Sequence, residues 1–155
     1  MVRFNIWALA AVCLILASMA GAASADDASD DKLAKEIHGQ LYKAIKAKEL
    51  DGVMKLVDVP WFGLGKEIVK DEKELKKRFK ELLDSIKDTS ELKSEVKEVL
   101  SYSKARDKFK KQKNLFKLIE ELKLTENDRV IIQASNAAVL VRIRDGKAKV
   151  VGIIE

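Results

Sequence analysis

The stretch RVIIQASNAAVLVRIRDGKAKVVGIIE, residues 129–155, decides the fold, because it contains three consecutive segments rich in β-branched residues. The segments are RVIIQAS (129–135), AAVLVRIR (137–144) and KAKVVGIIE (147–155), divided at Ser135-Asn136 and at Asp145-Gly146. Short apolar segments bounded by turn residues are typical of strands. The stretch therefore predicts three strands joined by two turns.

Asp145-Gly146 is typical of a two-residue hairpin turn in which both residues adopt positive φ. Such a turn fixes the register of the last two strands. Apolar residues then pair on one face and basic residues on the other: Ile143 with Ala148, Val141 with Val150, Arg144 with Lys147, and Arg142 with Lys149. Like charges that face each other destabilise a hairpin, so we expect a nearby acid to compensate.

The chain before these strands is mostly helical in pattern. A first helix from Lys32 is predicted by an apolar stripe that repeats every four residues, Leu33, Ile37, Leu41 and Ile45. A second, short helix is predicted from about Asp51, which caps it, to Val57. Pro60 ends that helix, since proline lacks an amide donor and restricts the residue before it.

The middle of the chain predicts a short hairpin, a helix, a strand and another helix. WFGLGKEIVK (61–70) indicates two extended pieces around a Gly-Leu-Gly turn. Asp71 and Glu74 have capping-box spacing at the start of a third helix, whose apolar face is Leu75, Phe79, Leu82, Leu83 and Ile86. Residues 94–103 fit a strand or a helix, and we favour the strand. Residues 107–124 predict a fourth helix that buries Leu115, Phe116, Ile119 and Leu122.

Helices followed by a mostly antiparallel sheet indicate an α+β fold. LDGVMKLVDVPWF (50–62) and GKEIVKDEKELKKRF (65–79) resemble the opening of the nuclear transport factor 2-like superfamily, which includes polyketide-cyclase-like proteins. Its members often end a helix in an acidic, aromatic turn, followed by a strand and a charged helix start. The resemblance covers most of residues 32–155. It implies a curved sheet that wraps a long helix into a cone whose open end can hold a ligand, with DVPWFGLG (58–65) at the rim.

The N-terminal 25 residues predict a cleaved signal peptide and therefore a secreted or periplasmic protein. Arg3 precedes a long uncharged run, and Ala23-Ser24-Ala25 suits a signal peptidase, which places cleavage after Ala25. The alternative is an uncleaved membrane anchor, since the run is nearly long enough to span a bilayer. Residues 26–31 predict a short flexible lead, and residues 32–155 a single domain.

The composition excludes several chemistries. The single cysteine, Cys13, lies in the predicted signal peptide, and the chain has one histidine. The mature protein therefore has no disulfide or cysteine nucleophile and lacks the usual zinc ligands, so we predict neither a metal nor a cofactor. Loss of Arg3 lowers the formal net charge from +5 to +4.

Four residues are candidates for a ligand site or for catalysis. The resemblance places Asp58 and Trp61 near the mouth of the cone, where acids and aromatic residues lie in catalytic relatives, and we add Tyr42 as a third ligand-binding candidate. His38 is the general-base candidate, but a general base needs an orienting acid and a pocket. Alternatively, Asp58 caps a turn, Trp61 fills the core, and His38 is a boundary residue bonded to Tyr42 or solvent. We predict that His38 and Asp58 do not form a catalytic pair.

Two basic patches suit an anionic partner. One is a stripe on the predicted fourth helix and the other lies at the hairpin tip: Arg106, Lys110, Lys113 and Lys117, then Arg142, Arg144, Lys147 and Lys149. Either patch suits an anionic envelope component, such as a lipid or a cell-wall polymer. The alternative is an ordinary solvated surface. Nucleic acid is disfavoured, because the aromatic residues that stack on bases are not interleaved with these basic residues.

The leading hypothesis is non-enzymatic. It is a small apolar molecule bound in the cone, or an interaction module that binds another protein or a second copy of the chain. One alternative is a small polyketide-cyclase-like or isomerase-like enzyme that uses Asp58 with His38. Another is a surface module that binds polyanions. A hollow cone favours ligand binding, whereas a cone filled by Trp61, Phe62 and Phe79 favours an interaction module.

Overall fold

The computed structural model describes residues 19–63, 67–90 and 92–154. The elements in chain order are α1 (Met19–Lys46), α2 (Leu50–Leu56), β1 (Val57–Gly63), β2 (Glu67–Val69), α3 (Glu72–Ser85), β3 (Val96–Ser101), α4 (Tyr102–Lys108), α5 (Lys113–Ile119), a 3-10 helix (Glu120–Leu122), β4 (Arg129–Gln133), β5 (Ala138–Arg144) and β6 (Lys147–Ile154). The predicted signal peptide up to residue 18, and residues 64–66 of the predicted Gly-Leu-Gly turn, lie outside the described residues.

The six strands form one mixed sheet in the order β2-β1-β6-β5-β4-β3. The β1–β6 pair is parallel and the other four pairs are antiparallel. The sheet is curved and does not close on itself, so the predicted α+β class, with helices on a curved and mostly antiparallel sheet, is confirmed. Residues 94–103, for which the sequence left two alternatives, contain β3.

The sheet separates two hydrophobic layers, because successive side chains of a strand point to opposite faces. In β1, Trp61 belongs to the layer under α1, α2 and α3, whereas Phe62 belongs to the layer under α4 and α5. In β5, Val139 and Val141 face the first layer and Leu140 faces the second. We call these the α1 layer and the α4–α5 layer.

The C-terminal hairpin has the predicted turn and register. Asp145 has a φ of 51° and Gly146 a φ of 69°, as a two-residue turn of this type requires. All four predicted cross-strand pairs are present in the β5–β6 ladder. The hairpin is therefore confirmed in turn position, register and choice of faces.

The prediction that Pro60 ends the second helix is wrong. The helix α2 already ends at Leu56, its N-cap is Glu49 rather than Asp51, and Pro60 lies inside β1. The reason is pairing with the C-terminal strand, which holds the segment extended. The β1–β6 register shifts between Val57 and Phe62, so a proline without an amide donor is tolerated there.

The predicted fourth helix is instead two short helices. It begins earlier, at Tyr102, where the Ser101 side chain accepts from the backbone N–H of Lys104, and α4 ends at Lys108. The chain turns over residues 109–112 before α5 begins. This break lets both Ala105 and Ile119 bury against the same face of the sheet. It also divides the predicted basic stripe, because Arg106 lies on α4, Lys110 in the turn, and Lys113 and Lys117 on α5.

Residues 26–31, predicted to be a flexible lead, are helical and belong to α1. Their carboxylates surround Arg129 of β4, whose side chain is 1% exposed. Arg129 donates from Nε to Asp31 at 2.7 Å and from Nη2 to Asp27 at 2.7 Å, and Asp30 lies at 3.5 Å. A buried guanidinium needs carboxylate and carbonyl partners, so these contacts hold the start of α1 against the sheet.

Within residues 19–63, 67–90 and 92–154, no helix combines the length and the apolar character that a membrane crossing requires.

Candidate ligand-binding site

His38 lies in the α1 layer and is 1% exposed. The Gln133 side-chain nitrogen donates to Nε2 of His38 at 2.9 Å and to the Tyr42 hydroxyl at 2.8 Å. Because Nε2 accepts, the imidazole is neutral and carries its proton on Nδ1. Burial lowers the pKa of His38 and so favours this neutral form.

The alternative that His38 is a boundary residue bonded to Tyr42 or to solvent is therefore wrong, both about the burial of His38 and about its main hydrogen-bond partner. The imidazole is buried and bonded to Gln133, and Tyr42 contacts its ring at a centroid distance of 4.8 Å. Gln133 was not a sequence candidate. The available signal was its position as a polar residue at the end of the apolar run RVIIQ.

Asp58 lies on the opposite face of the sheet from His38. Its carboxylate is about half exposed and accepts from Nη1 of Arg142 at 3.2 Å. Arg142 stands between Val141 and Ile143, which both face the α1 layer, so its own side chain faces away from that layer. The structure therefore does not bring His38 and Asp58 together.

Trp61 is fully buried in the α1 layer and contacts Phe79 edge-on, with ring centroids 5.1 Å apart. Leu41 of α1 and Leu75 of α3 are also 0% exposed in the same layer. The space between the long helix and the sheet is thus filled by large side chains. Of the three predicted fillers, Trp61 and Phe79 lie there, and Phe62 lies in the other layer.

A cavity of about 180 Å³ lies in the α4–α5 layer, and we call it the α4–α5 cavity. Strand residues and helix residues from opposite sides supply its apolar lining: Val130, Ile132, Ala138, Leu140 and Ile154, then Ala105, Phe109, Leu115, Phe116 and Ile119. Tyr102, Gln112 and Asn136 complete the lining. None of these thirteen side chains is charged.

The cavity has a local origin in the sequence. The turn over residues 109–112 carries the chain across the sheet between two short helices, so neither helix presents a long stripe to the strands. Ala105 and Ala138 are the smallest side chains of the lining and come from the helix side and the strand side respectively. Small side chains on both sides leave space that larger residues would occupy.

Three polar side chains belong to the lining: Tyr102, Gln112 and Asn136. Of these three, Tyr102 is partly buried and the other two are exposed. The Tyr102 ring lies edge-on to Phe116 at a centroid distance of 6.3 Å, and its hydroxyl makes no hydrogen bond within the described residues. Burial raises the pKa of Tyr102, so the hydroxyl keeps its proton and can donate a hydrogen bond. Gln112 and Asn136 are exposed, which places them at the mouth.

The basic hairpin tip is partly neutralised by acids, as expected from the like-charged pairs. Arg142 pairs with Asp58, and Arg144 pairs with the fully buried Asp128 through Nη1 at 2.5 Å and Nη2 at 3.0 Å. Lys149 donates to the carbonyl of Lys55, while Lys147 is exposed. Two of the four cations therefore already have carboxylate partners.

Within the part of the chain that the structure describes, no three or more His, Cys, Asp or Glu side chains are grouped so that they could hold a metal ion.

Comparisons with family models, with curated proteins and with solved structures found no match. The resemblance to the nuclear transport factor 2-like superfamily thus rests on the residues quoted above and stays a prediction.

Proposed function

We propose that this protein is an exported domain that binds a small apolar molecule in the α4–α5 cavity. The observation that carries the proposal is an uncharged, mostly apolar cavity that retains about 180 Å³ of space beside a well-packed core. Concave apolar cavities with a few polar groups are the usual form of small-molecule sites. Trp61 and Phe79 fill the space under the long helix, which by the criterion of the sequence analysis favours an interaction module over a ligand in the cone. The proposal therefore moves the ligand to the other face of the sheet.

The size of the cavity limits the ligand. A dry apolar cavity of about 150 Å³ is known to accept benzene, so about 180 Å³ suits one ring with a short substituent. A drug-sized ligand needs about 300 Å³ or more. The ligand is therefore a compact molecule, and it is buried in the protein to a large extent.

Membership of the nuclear transport factor 2-like superfamily and export are part of this proposal. Helices packed on a curved sheet support the first. Export is compatible with the contacts of α1, because cleavage after Ala25 leaves Asp26 at the start of this helix and retains all three carboxylates around Arg129. Acidic residues near the N-terminus of a helix are favourable, so the shortened helix keeps a suitable first turn.

Ligand binding is favoured over the two alternatives by the contacts of the candidate residues. His38 is buried and bonded to Gln133, and Asp58 is paired with Arg142, so neither is free for proton transfer. At the hairpin tip, Arg144 is held by a buried carboxylate. Polyanion binding by the remaining lysines stays a prediction.

The test is binding of toluene to the purified protein, followed by amide chemical shifts in NMR and by Tm. We expect saturable shifts centred on the lining residues and a higher Tm, since a ligand that binds only the folded state stabilises it. Ala105→Leu places a larger side chain in the cavity and abolishes both effects. The matched control is Ala148→Leu, which enlarges a partly buried alanine of the α1 layer and leaves both effects in place.

Two results would contradict the proposal. One is the absence of saturable shifts in the original protein at the solubility limit of toluene. The other is equal toluene affinity in Ala105→Leu and in the original protein.

A further inference from the structure

The polar groups of the α4–α5 cavity define the chemistry of its ligand more closely than its volume does. Tyr102 lines the cavity, and its hydroxyl makes no hydrogen bond within the described residues. The hydroxyl is not among the buried side-chain atoms that lack a partner, so water reaches it in the free protein and a ligand oxygen can replace that water. A ligand oxygen would supply the partner that the protein does not.

We propose that the ligand is a neutral, compact, single-ring molecule with one carbonyl oxygen, which accepts a hydrogen bond from the Tyr102 hydroxyl. This inference rests on the proposed function, because it concerns the same cavity. It adds the chemical class of the ligand and the residue that distinguishes it from a hydrocarbon of the same shape.

The ligand is neutral because the lining offers no ion partner. None of the side chains that the structure describes in the lining is charged, and burying an ionised group without a paired charge is unfavourable. Two charged side chains influence the pKa of Tyr102, and their effects are opposite: Arg106 lowers the pKa and Glu120 raises it. Their opposite signs do not favour an anion or a cation.

The ligand carries a hydrogen-bond acceptor because of the protonation state of Tyr102. Desolvation raises the pKa of this phenol, so its proton stays on the oxygen at neutral pH. A protonated phenol donates readily to a carbonyl oxygen. The two other polar side chains of the lining, Gln112 and Asn136, are exposed and hydrated without a ligand.

The test compares acetophenone with cumene, which has the same number of non-hydrogen atoms and a similar size but lacks the oxygen. Affinities are measured by NMR titration for the original protein and for Tyr102→Phe, which keeps the ring against Phe116. We expect Tyr102→Phe to weaken acetophenone binding about fivefold, the equivalent of about 1 kcal/mol for one hydrogen bond. Cumene binding should change less than twofold.

A second measurement does not depend on a variant. The chain has two tyrosines, Tyr42 and Tyr102, so labelling with tyrosine carrying ¹³C at Cζ gives two signals that are assigned with Tyr102→Phe. Acetophenone should shift the Tyr102 signal much more than cumene does. Tyr42 belongs to the α1 layer, where it accepts from Gln133, and its signal should stay in place with both ligands.

The outcomes separate this inference from the proposed function. If both molecules bind and Tyr102→Phe weakens both equally or neither, the cavity binds ligands but the assigned chemistry is wrong. If only cumene binds, the chemistry is likewise wrong. If neither binds, the proposed function fails and this inference fails with it.

Discussion

The two faces of the sheet differ in the helices that cover them: two long helices and the short α2 cover one face, and two short helices and a 3-10 helix cover the other. On the α1 side, α1 has 28 residues and α3 has 14, and their apolar residues close onto the strands. On the other side, α4 and α5 have seven residues each. Seven residues make only about two turns, which is too few to present a long apolar stripe. Short helices on either side of a turn therefore leave the α4–α5 cavity on this face.

The polar groups do not divide in the same way, because Nε1 of Trp61, in the α1 layer, is buried without a hydrogen-bond partner within the described residues. In the α1 layer, His38, Tyr42 and Gln133 bond to one another, and the buried Arg129 has carboxylate and carbonyl partners. In the α4–α5 layer, the Tyr102 hydroxyl has no protein partner within the described residues, but it is not a buried atom and can be hydrated. Ligand sites are often drawn from the less stable parts of a fold. Packing, rather than polar pairing, therefore supports the proposal that the α1 layer supplies stability and the α4–α5 layer the ligand site.

The largest expected effect compares one phenylalanine from each layer. Phe79→Ala should lower the free energy of unfolding by about 4 kcal/mol, because a fully buried ring is replaced by a cavity. Phe116→Ala should cost only about 1–2 kcal/mol, because Phe116 is partly exposed and already borders a cavity. Urea denaturation of both variants measures the difference. Equal losses would show that the two layers are equally well packed.

The next largest effect compares two arginines. Arg129→Leu should cost about 3 kcal/mol, since it leaves three carboxylates without their buried partner. Arg142→Leu should cost about 1 kcal/mol or less, because its partner Asp58 is about half exposed and can be hydrated. The measurement is again urea denaturation, with hydrogen exchange at residues 26–31 to detect local loss of helix. A smaller loss for Arg129→Leu than for Arg142→Leu would contradict the assigned role of the aspartates.

The sequence predicted those parts of the fold whose causes are local. The Asp145-Gly146 turn and the alternation beside it determine the hairpin register without help from distant residues. Asp71 likewise caps α3 through the backbone N–H of Glu74, three residues away. The α+β class followed from the order of such local patterns.

The parts that could not be predicted depend on contacts between distant segments. Residues 26–31 are rich in aspartate and resemble a flexible lead, but Arg129, about 100 residues later, orders them. His38 becomes buried because Gln133 of β4 satisfies its ring nitrogen. Residues 109–112 contain no proline or glycine, so the sequence carries no signal for the break between α4 and α5. Packing against the sheet overrides helix propensity there. The cavity depends on that break, so it was not predicted either.

The smallest expected effect concerns pH and tests whether the α1 layer holds His38 neutral. Its pKa in the folded protein is lowered by burial below the ordinary value of 6.5. The unfolded chain therefore binds the proton first as the pH falls, so stability should decrease below about pH 6.5, with a slope of at most about 1.4 kcal/mol per pH unit. Above pH 6.5 the imidazole is neutral in both states, and this contribution to the pH dependence vanishes.

Other shifted groups act outside this window or in the opposite direction. The pKa of Asp30 is raised by burial from an ordinary value of 3.8, so its contribution to stability is present at low pH and is lost as the pH rises through its folded pKa. Because Asp30 acts in the opposite direction, the contribution of His38 is obtained by comparing urea denaturation of two proteins between pH 5.5 and 7.5. The control is His38→Gln, which keeps an acceptor for the Gln133 amide but does not titrate, and its stability should vary less over that range. If the original protein and His38→Gln have the same pH dependence, His38 is not held neutral by the α1 layer, and the contrast with the α4–α5 layer then rests on packing alone.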